Sequence, residues 1–424
     1  MRNGIFRRQV GPANFTATIV RLPKKFVPEP FAYHEEVELE INDLTNLGEG
    51  VGRIDDWVVM VPFALPGERV KARIWRNKTN YSDADLVEVL KASPDRVEPP
   101  CALFQECGGC QYQHLSYEAQ WRWKTAQIVE LMRRLAGLEI EVQPCRGSTE
   151  AYGYRSKLTP HYQRPKDGKM GPIGFLRYSS RSIIDVEQCP IARPLINERL
   201  TEERALMHAM PPKKGKGGTL LLREGDDGVT TDNKDLRTGS VGDKRFQFIA
   251  GEFFQNNPYV LPLLVEYALD ESEKGGERYF VDAYCGVGVF GICGAERFEA
   301  VAGIEVSPPA VALAQANAAL NGVKNADFLI GSAEAIFEEL KFPAAETCVL
   351  MDPPRRGSDE LFLSQLVAYG PKRVVYVSCG PDTQARDLRY LIDRGYRVER
   401  IQPFDLFPQT RHIENVVTLV KEPA

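Results

Sequence analysis

From about Gly251 onward, short apolar runs alternate with helical stretches, and this rhythm limits the fold more than anything else in the chain. The runs at 278–284, 300–304, 348–351 and 374–377 are apolar at most consecutive positions. A strand with one wet face alternates polar and apolar residues; one that is apolar on both faces must be covered on both. A helix is predicted over 310–320, between two of the runs. Strands alternating with helices give an open α/β sheet whose strands run parallel. Such sheets bind ligands in the crevice beyond the carboxyl ends of their strands. The residues that end each strand are therefore the first candidates for a site.

Three of those strand ends suit a nucleoside-like cofactor. Asp282-Ala283-Tyr284-Cys285-Gly286-Val287-Gly288 turns from the first strand into a helix, and its glycines let the backbone approach a ligand closely. Glu305 ends the second strand, where a carboxylate can accept hydrogen bonds from ribose hydroxyls. Asp352-Pro353-Pro354-Arg355-Arg356-Gly357 ends another.

A fourth strand end carries a thiol. Cys379 follows the 374–377 run directly, in Ser378-Cys379-Gly380-Pro381-Asp382-Thr383. A buried cysteine is often only a small hydrophobe, but this position favours a nucleophile, which needs an electropositive setting to become thiolate. Glu414 opens the final apolar strand, after Pro408-Gln409-Thr410-Arg411-His412-Ile413. An acid against apolar surroundings has a raised pKa, which suits a general base. His412 competes for that role. A thiol and a base together can add to carbon 6 of a pyrimidine and later remove the proton from carbon 5. The ring must be flipped out of its stack to be reached.

The first half of the chain reads differently. Val37-Glu38-Leu39-Glu40-Ile41 alternates as a half-buried strand. With the glycines at 48, 50 and 52, and runs at 57–61, 70–75 and 84–90, it predicts a small barrel of the oligonucleotide-binding kind. Residues 94–250 form a mixed, β-rich domain with a helix over 116–135, ending before Gly137. The expected division is 34–93, 94–250 and 251–424.

Nine cysteines are present, without a secretion signal, so metal binding or catalysis explains them better than disulfides. Cys101, Cys107 and Cys110 are closely spaced, and Cys189 supplies a fourth thiol. Four such ligands suit zinc or an iron–sulfur cluster. Cys145, Cys285, Cys293 and Cys348 read as packing. The formal net charge of -5 leaves any RNA-binding surface to local patches. Candidates are Arg2, Arg7, Arg8, Arg21, Lys24 and Lys25, then Lys213, Lys214 and Lys216. Tyr152-Gly153-Tyr154-Arg155-Ser156-Lys157 suits base stacking on single-stranded RNA, or an ordinary β-edge. No apolar run is long enough to span a membrane. A cytoplasmic monomer is expected.

The glycine loop, acidic strand end and Asp-Pro-Pro together resemble class I, Rossmann-like S-adenosylmethionine-dependent methyltransferases. The Asn-Pro-Pro-aromatic motif of many amino-methyltransferases is not found here, which argues against an exocyclic nitrogen as acceptor. The Cys379 and 408–414 motifs, with Phe253-Phe254-Gln255-Asn256-Asn257-Pro258, resemble the RNA uracil-5-methyltransferase family. The barrel is similar to the TRAM domain attached to several RNA-modifying enzymes. The resemblance implies that Cys379 is the nucleophile and Glu414 the proton acceptor. It implies that Gln255, Tyr284 and Glu305 line the S-adenosylmethionine site, with Asp352 between cofactor and uracil. It also implies a [4Fe-4S] cluster on Cys101, Cys107, Cys110 and Cys189. By fold-level analogy it favours ribosomal over transfer RNA as substrate. Val289 and Gly380 stand where relatives often have Asn. Cytosine-5 methylation by the same thiol chemistry, or a non-catalytic RNA-binding or chaperone role, are the alternatives.

Overall fold

The apolar runs build one sheet of seven strands. Their order is Ala326–Ile330, Ala300–Glu305, Tyr279–Ala283, Thr347–Met351, Arg373–Ser378, Glu414–Lys421 and Tyr396–Phe404. This computed structural model describes residues 26–212, 217–331, 337 and 340–423. The basic residues named above at 2–25 and 213–216 lie outside the described residues.

The first five strands in that order are parallel, as expected. One strand departs from the expectation. Glu414–Lys421 runs antiparallel between Arg373–Ser378 and Tyr396–Phe404. A parallel return needs a crossover of about a dozen residues or more, and the 405–413 connection is shorter. The chain therefore folds straight back, and the start of its last strand arrives beside the end of Arg373–Ser378.

Both faces of the sheet are covered. Thr347–Met351 and Arg373–Ser378 are buried at every position, which is why their apolar runs are unbroken. Leu350, Val375 and Val377 face one core with the helices Leu261–Glu273 and Pro308–Leu320. Val349, Met351, Val374 and Tyr376 face the other, with Glu360–Tyr369 and Pro381–Ile392. The helix Tyr117–Leu131 reaches this second core through Ile128, and its π-helical continuation Met132–Ala136 through Met132. That continuation stops at Gly137, whose φ is 67.

The N-terminal barrel closes as strands Glu36–Leu44, Glu49–Ile54, Trp57–Pro62, Tyr81–Lys91 and Arg69–Asn77, in spatial order. Every second residue points inward, so Leu39, Ile41, Val59, Val61, Val70, Ala72 and Ile74 fill its core. Leu44 and Leu65 pack against Tyr112, Leu115 and Ala119, joining the barrel to the central region. Two small sheets and the helix Pro194–Ala209 make up most of the remainder. The hairpin Leu236–Val241/Lys244–Ile249 packs into the first sheet core instead. Buried Asn317 ties it there: its side chain accepts from the Gln247 N–H at 2.7 Å and donates to the Val287 carbonyl at 3.0 Å, inside the glycine loop. Among the described residues no helix is long and apolar enough to cross a membrane.

Candidate active site

The inserted final strand decides which side chains meet. Ser378 pairs with Asn415 in the antiparallel register. Continued by one residue, that register sets Cys379 opposite Glu414. Directly opposed residues of such a pair point to the same face, with α-carbons about 4.5–5.5 Å apart. Thiol and carboxyl are thus presented together at the end of the sheet.

Both are withdrawn from water, Glu414 fully and Cys379 in part. Glu414 is 1% exposed, and its Oε2 has no hydrogen-bond partner. Burial first, then the nearby Asp352 carboxyl, hold its pKa well above the ordinary range, against the pull of Arg355. Burial pushes Asp352 up to about 7. The Cys379 thiol is half-buried and pushed up to about 11, by burial first and then by Glu414 and Asp352, while Arg355 opposes the rise. The electropositive setting expected for a nucleophile thus comes from the Arg355 guanidinium. Arg355 also meets His412, Nη2 to Nδ1 at 3.0 Å. Burial, then Arg355 and Arg411, hold His412 down to about 3. A histidine so hard to protonate is a poor proton acceptor, which leaves Glu414 the stronger candidate.

Two cavities flank this point. One, of about 280 Å³, is lined by Cys379, Gly380, Arg355, Arg411, His412 and the barrel residues Asn46 and Leu47. The other, of about 180 Å³, is lined by Tyr284, Glu305, Val306, Pro354 and Phe362 among others. Glu305 accepts hydrogen bonds from Ser307 N–H at 2.9 Å and Gly286 N–H at 3.2 Å, which fixes its carboxylate at the glycine loop. Apolar walls beside a fixed acid suit an adenosine group, so the residues fit the expected cofactor. Tyr284 and Gly286 adopt left-handed backbone, φ 65 and 53, to make this turn. Asp352 and Gln255 are half-buried, and neither lines either cavity.

Comparison with known proteins shows the family. Residues 230–422 match the model of the tRNA (Uracil-5-)-methyltransferase family, and 34–87 match the TRAM domain. A tRNA (uracil(54)-C(5))-methyltransferase of Schizosaccharomyces pombe is 39% identical, over 92% of this chain and 79% of its own. The chain belongs to the RNA uracil-5-methyltransferase family. It is an S-adenosylmethionine-dependent RNA (uracil-5-)-methyltransferase. The Saccharomyces cerevisiae protein of the same name is 32% identical, over 92% of this chain and 74% of its own. The fold is shared with a Pyrococcus abyssi tRNA (uracil-54, C5)-methyltransferase solved with S-adenosyl-L-homocysteine. The TM-score is 0.69 at 24% identity, over 91% of this chain and all of that one.

The two departures from the family pattern have local reasons. Gly380 lies so close to the Arg355 carbonyl that a β-carbon would fall 2.7 Å from that oxygen. Val289 begins the helix Val289–Gly294 and packs against the apolar core.

The methyltransferase loop 405–412 is held by residues whose role the sequence did not suggest. Lys124 Nζ donates to Asp405 Oδ1 at 2.6 Å and to the His412 carbonyl at 2.9 Å. Gln120 and Gln409 exchange two hydrogen bonds of 3.0 Å. Gln111 and Tyr112 N–H both donate to the Gln409 carbonyl, which stabilises Gln409 at φ 68. Tyr154 decides against the stacking alternative for its segment. It is fully buried and donates to the Pro408 carbonyl at 2.9 Å, so it braces this loop and offers no face to a base. Arg355 was visible only as the residue after Asp-Pro-Pro; its pull on the thiol depends on where the loop folds.

Cys101, Cys107, Cys110 and Cys189 line one cavity of about 340 Å³, which also touches Arg355, Phe407, Thr410 and His412. Among the described residues no three His, Cys, Asp or Glu are grouped closely enough to hold a metal ion.

Proposed function

We propose that the chain methylates carbon 5 of a uridine in transfer RNA, at the position its fungal relatives are named for, with Cys379 as nucleophile and Glu414 as base. The observation that supports the roles is the strand register, which pairs Ser378 with Asn415 and so brings their neighbours Cys379 and Glu414 to one sheet end. Gln255, Tyr284, Glu305 and Asp352 would hold S-adenosylmethionine, which when bound would supply an electrophilic methyl. Cys379, as thiolate, adds to carbon 6 of the flipped uracil and makes carbon 5 nucleophilic. After methylation, Glu414 takes the proton from carbon 5, and the thiolate leaves. Arg355 steadies the thiolate before attack. The expectation of ribosomal RNA rested on analogy alone; similarity over nine-tenths of the chain to enzymes named for transfer RNA outweighs it. Barrel, central and methyltransferase domains are assigned to 34–93, 94–250 and 251–424, with the hairpin Leu236–Val241/Lys244–Ile249 of the central span packed into the methyltransferase core.

The cysteine cavity is assigned to a [4Fe-4S] cluster held by Cys101, Cys107, Cys110 and Cys189. A single zinc ion draws its sulfurs to about 2.3 Å from one point. A four-iron cluster takes four thiolates, the number of cysteines that line this cavity. Equal amounts of iron and acid-labile sulfide, lost together in Cys110→Ser, are expected; zinc in their place overturns the assignment.

The decisive experiment maps 5-methyluridine in transfer and ribosomal RNA from cells lacking the protein. Loss from transfer RNA supports the reading. Loss from ribosomal RNA alone, or loss of 5-methylcytidine, replaces it.

A further inference from the structure

We propose that Leu47, at the tip of the barrel's first turn, is the wedge that fills the gap left in the RNA stack when the target uridine enters the Cys379 cavity. The proposal rests on the uracil-methylating reading of that cavity.

Leu47 stands at a partition. It lines the Cys379 cavity with Arg355, Arg411 and His412. It also lines a wider, open cavity of about 660 Å³ with Arg177, Tyr178, Arg181 and His161. Only Leu47 and Arg411 belong to both linings. A strand of RNA lying in the wide, arginine-lined cavity would pass between these two side chains to bring one base to Cys379. Arg411 and the other arginines offer charge to phosphates, and Leu47 offers an apolar surface 48% exposed.

A single exposed leucine is unremarkable on most surfaces. This one is fixed in place. Thr45 Oγ1 accepts from Leu47 N–H at 3.2 Å and Glu49 N–H at 3.1 Å, closing the turn from within. Gln127 Nε2 donates to the Thr45 carbonyl at 2.7 Å and to the Tyr112 hydroxyl at 2.9 Å, tying the turn to the central helix. Gly48, at φ +82, sits so near Tyr112 that a β-carbon would fall 2.9 Å from the ring. The turn is thus pressed against the domain that braces the catalytic loop, and its one large apolar side chain is held at the mouth of the site. Flipping a base costs its stacking energy, and inserted apolar side chains are a known way for a protein to support an opened base step. The barrel then acts on the chemistry directly as well as tethering RNA.

The test compares two RNAs with the same sequence around the target: a hairpin in which the uridine is stacked beside 2-aminopurine, and an unstructured oligomer. Leu47→Ala is expected to lower kcat/KM on the hairpin about tenfold, the scale of losing one buried leucine contact. The 2-aminopurine fluorescence rise on binding should shrink with it. On the oligomer, where no stack has to be opened, the loss should be clearly smaller than on the hairpin. Leu47→Met should restore the hairpin rate. Equal losses on both RNAs, or no loss on the hairpin, overturn the wedge. A parent enzyme that forms no covalent adduct with 5-fluorouridine in either RNA overturns the underlying reading instead. Unchanged thermal unfolding of Leu47→Ala shows that the comparison is between folded proteins.

Discussion

Lys124 and Asp405 pair at 2.6 Å with neither side chain exposed to solvent. The same ammonium donates to the carbonyls of His412 and, at 3.4 Å, Phe407. It therefore holds both ends of the loop that leads to Glu414. Removing one partner leaves the other charge buried and uncompensated, which costs about 3–5 kcal/mol. Lys124→Met should lower stability by that order in urea unfolding. Lys124→Met with Asp405→Leu should recover most of the stability, because no buried charge remains. Activity should not return with it, since the His412 carbonyl still lacks its donor. Full activity in the stable double variant would show that the pair matters to folding alone.

Gly380 is expected to resist the residue that relatives often carry. A β-carbon here would fall 2.7 Å from the Arg355 carbonyl oxygen, and that oxygen belongs to backbone. Either the loop of Arg355 or the nucleophile's own loop must move, at about 1–3 kcal/mol. Gly380→Asn should slow adduct formation with 5-fluorouridine RNA about tenfold, one 1.4 kcal/mol step, even though it restores a common family residue. An unchanged rate would mean that the two loops yield freely.

Arg355 is expected to set the pH at which Cys379 works. The thiol stands near 11, and Arg355 is the cation that opposes the rise. Thiolate is the attacking form, so adduct formation should accelerate as pH rises through the neutral range. Arg355→Gln should push the thiol higher still and shift the whole profile toward alkaline pH. The check is the rate of covalent trapping across pH for both proteins. Superimposable profiles would remove Arg355 from the chemistry.

The strand ends were legible because a buried parallel strand must be apolar throughout, and its last residues must face the crevice. That reasoning reached Cys379, Glu305 and Asp352 without a structure. The barrel was legible through its period of two, as at Leu39 and Ile41. What could not be read was long-range. Lys124 looks like an ordinary helix lysine, because nothing local shows that Asp405 will come to lie against it. Tyr154 could be read as a stacking platform or as part of a β-edge for the same reason: an aromatic beside arginine is the same pattern whether it faces RNA or the Pro408 carbonyl. The antiparallel insertion of Glu414–Lys421 was hidden as well, since an apolar strand does not announce its direction. Only the shortness of the 405–413 connection hinted at it.

Asp282 gives the last expectation, on stability against pH. It is fully buried on the strand Tyr279–Ala283, and its Oδ2 accepts the Gly291 N–H at 2.7 Å. Its Oδ1 has no partner. Burial raises it to about 8, well above an unfolded aspartate, with Asp352 and Glu305 adding to the rise. The folded state therefore holds a proton that the unfolded chain releases. The resulting stability is fully present below the unfolded pKa and is lost as pH rises through about 8. Asp282→Asn keeps an oxygen for the Gly291 N–H and has no charge to bury. Its stability relative to the parent should therefore grow from about pH 5.5 to about pH 8.5. Denaturant midpoints of both proteins at those two pH values measure it. A difference that does not change with pH would mean that Asp282 is already ionised in the folded protein.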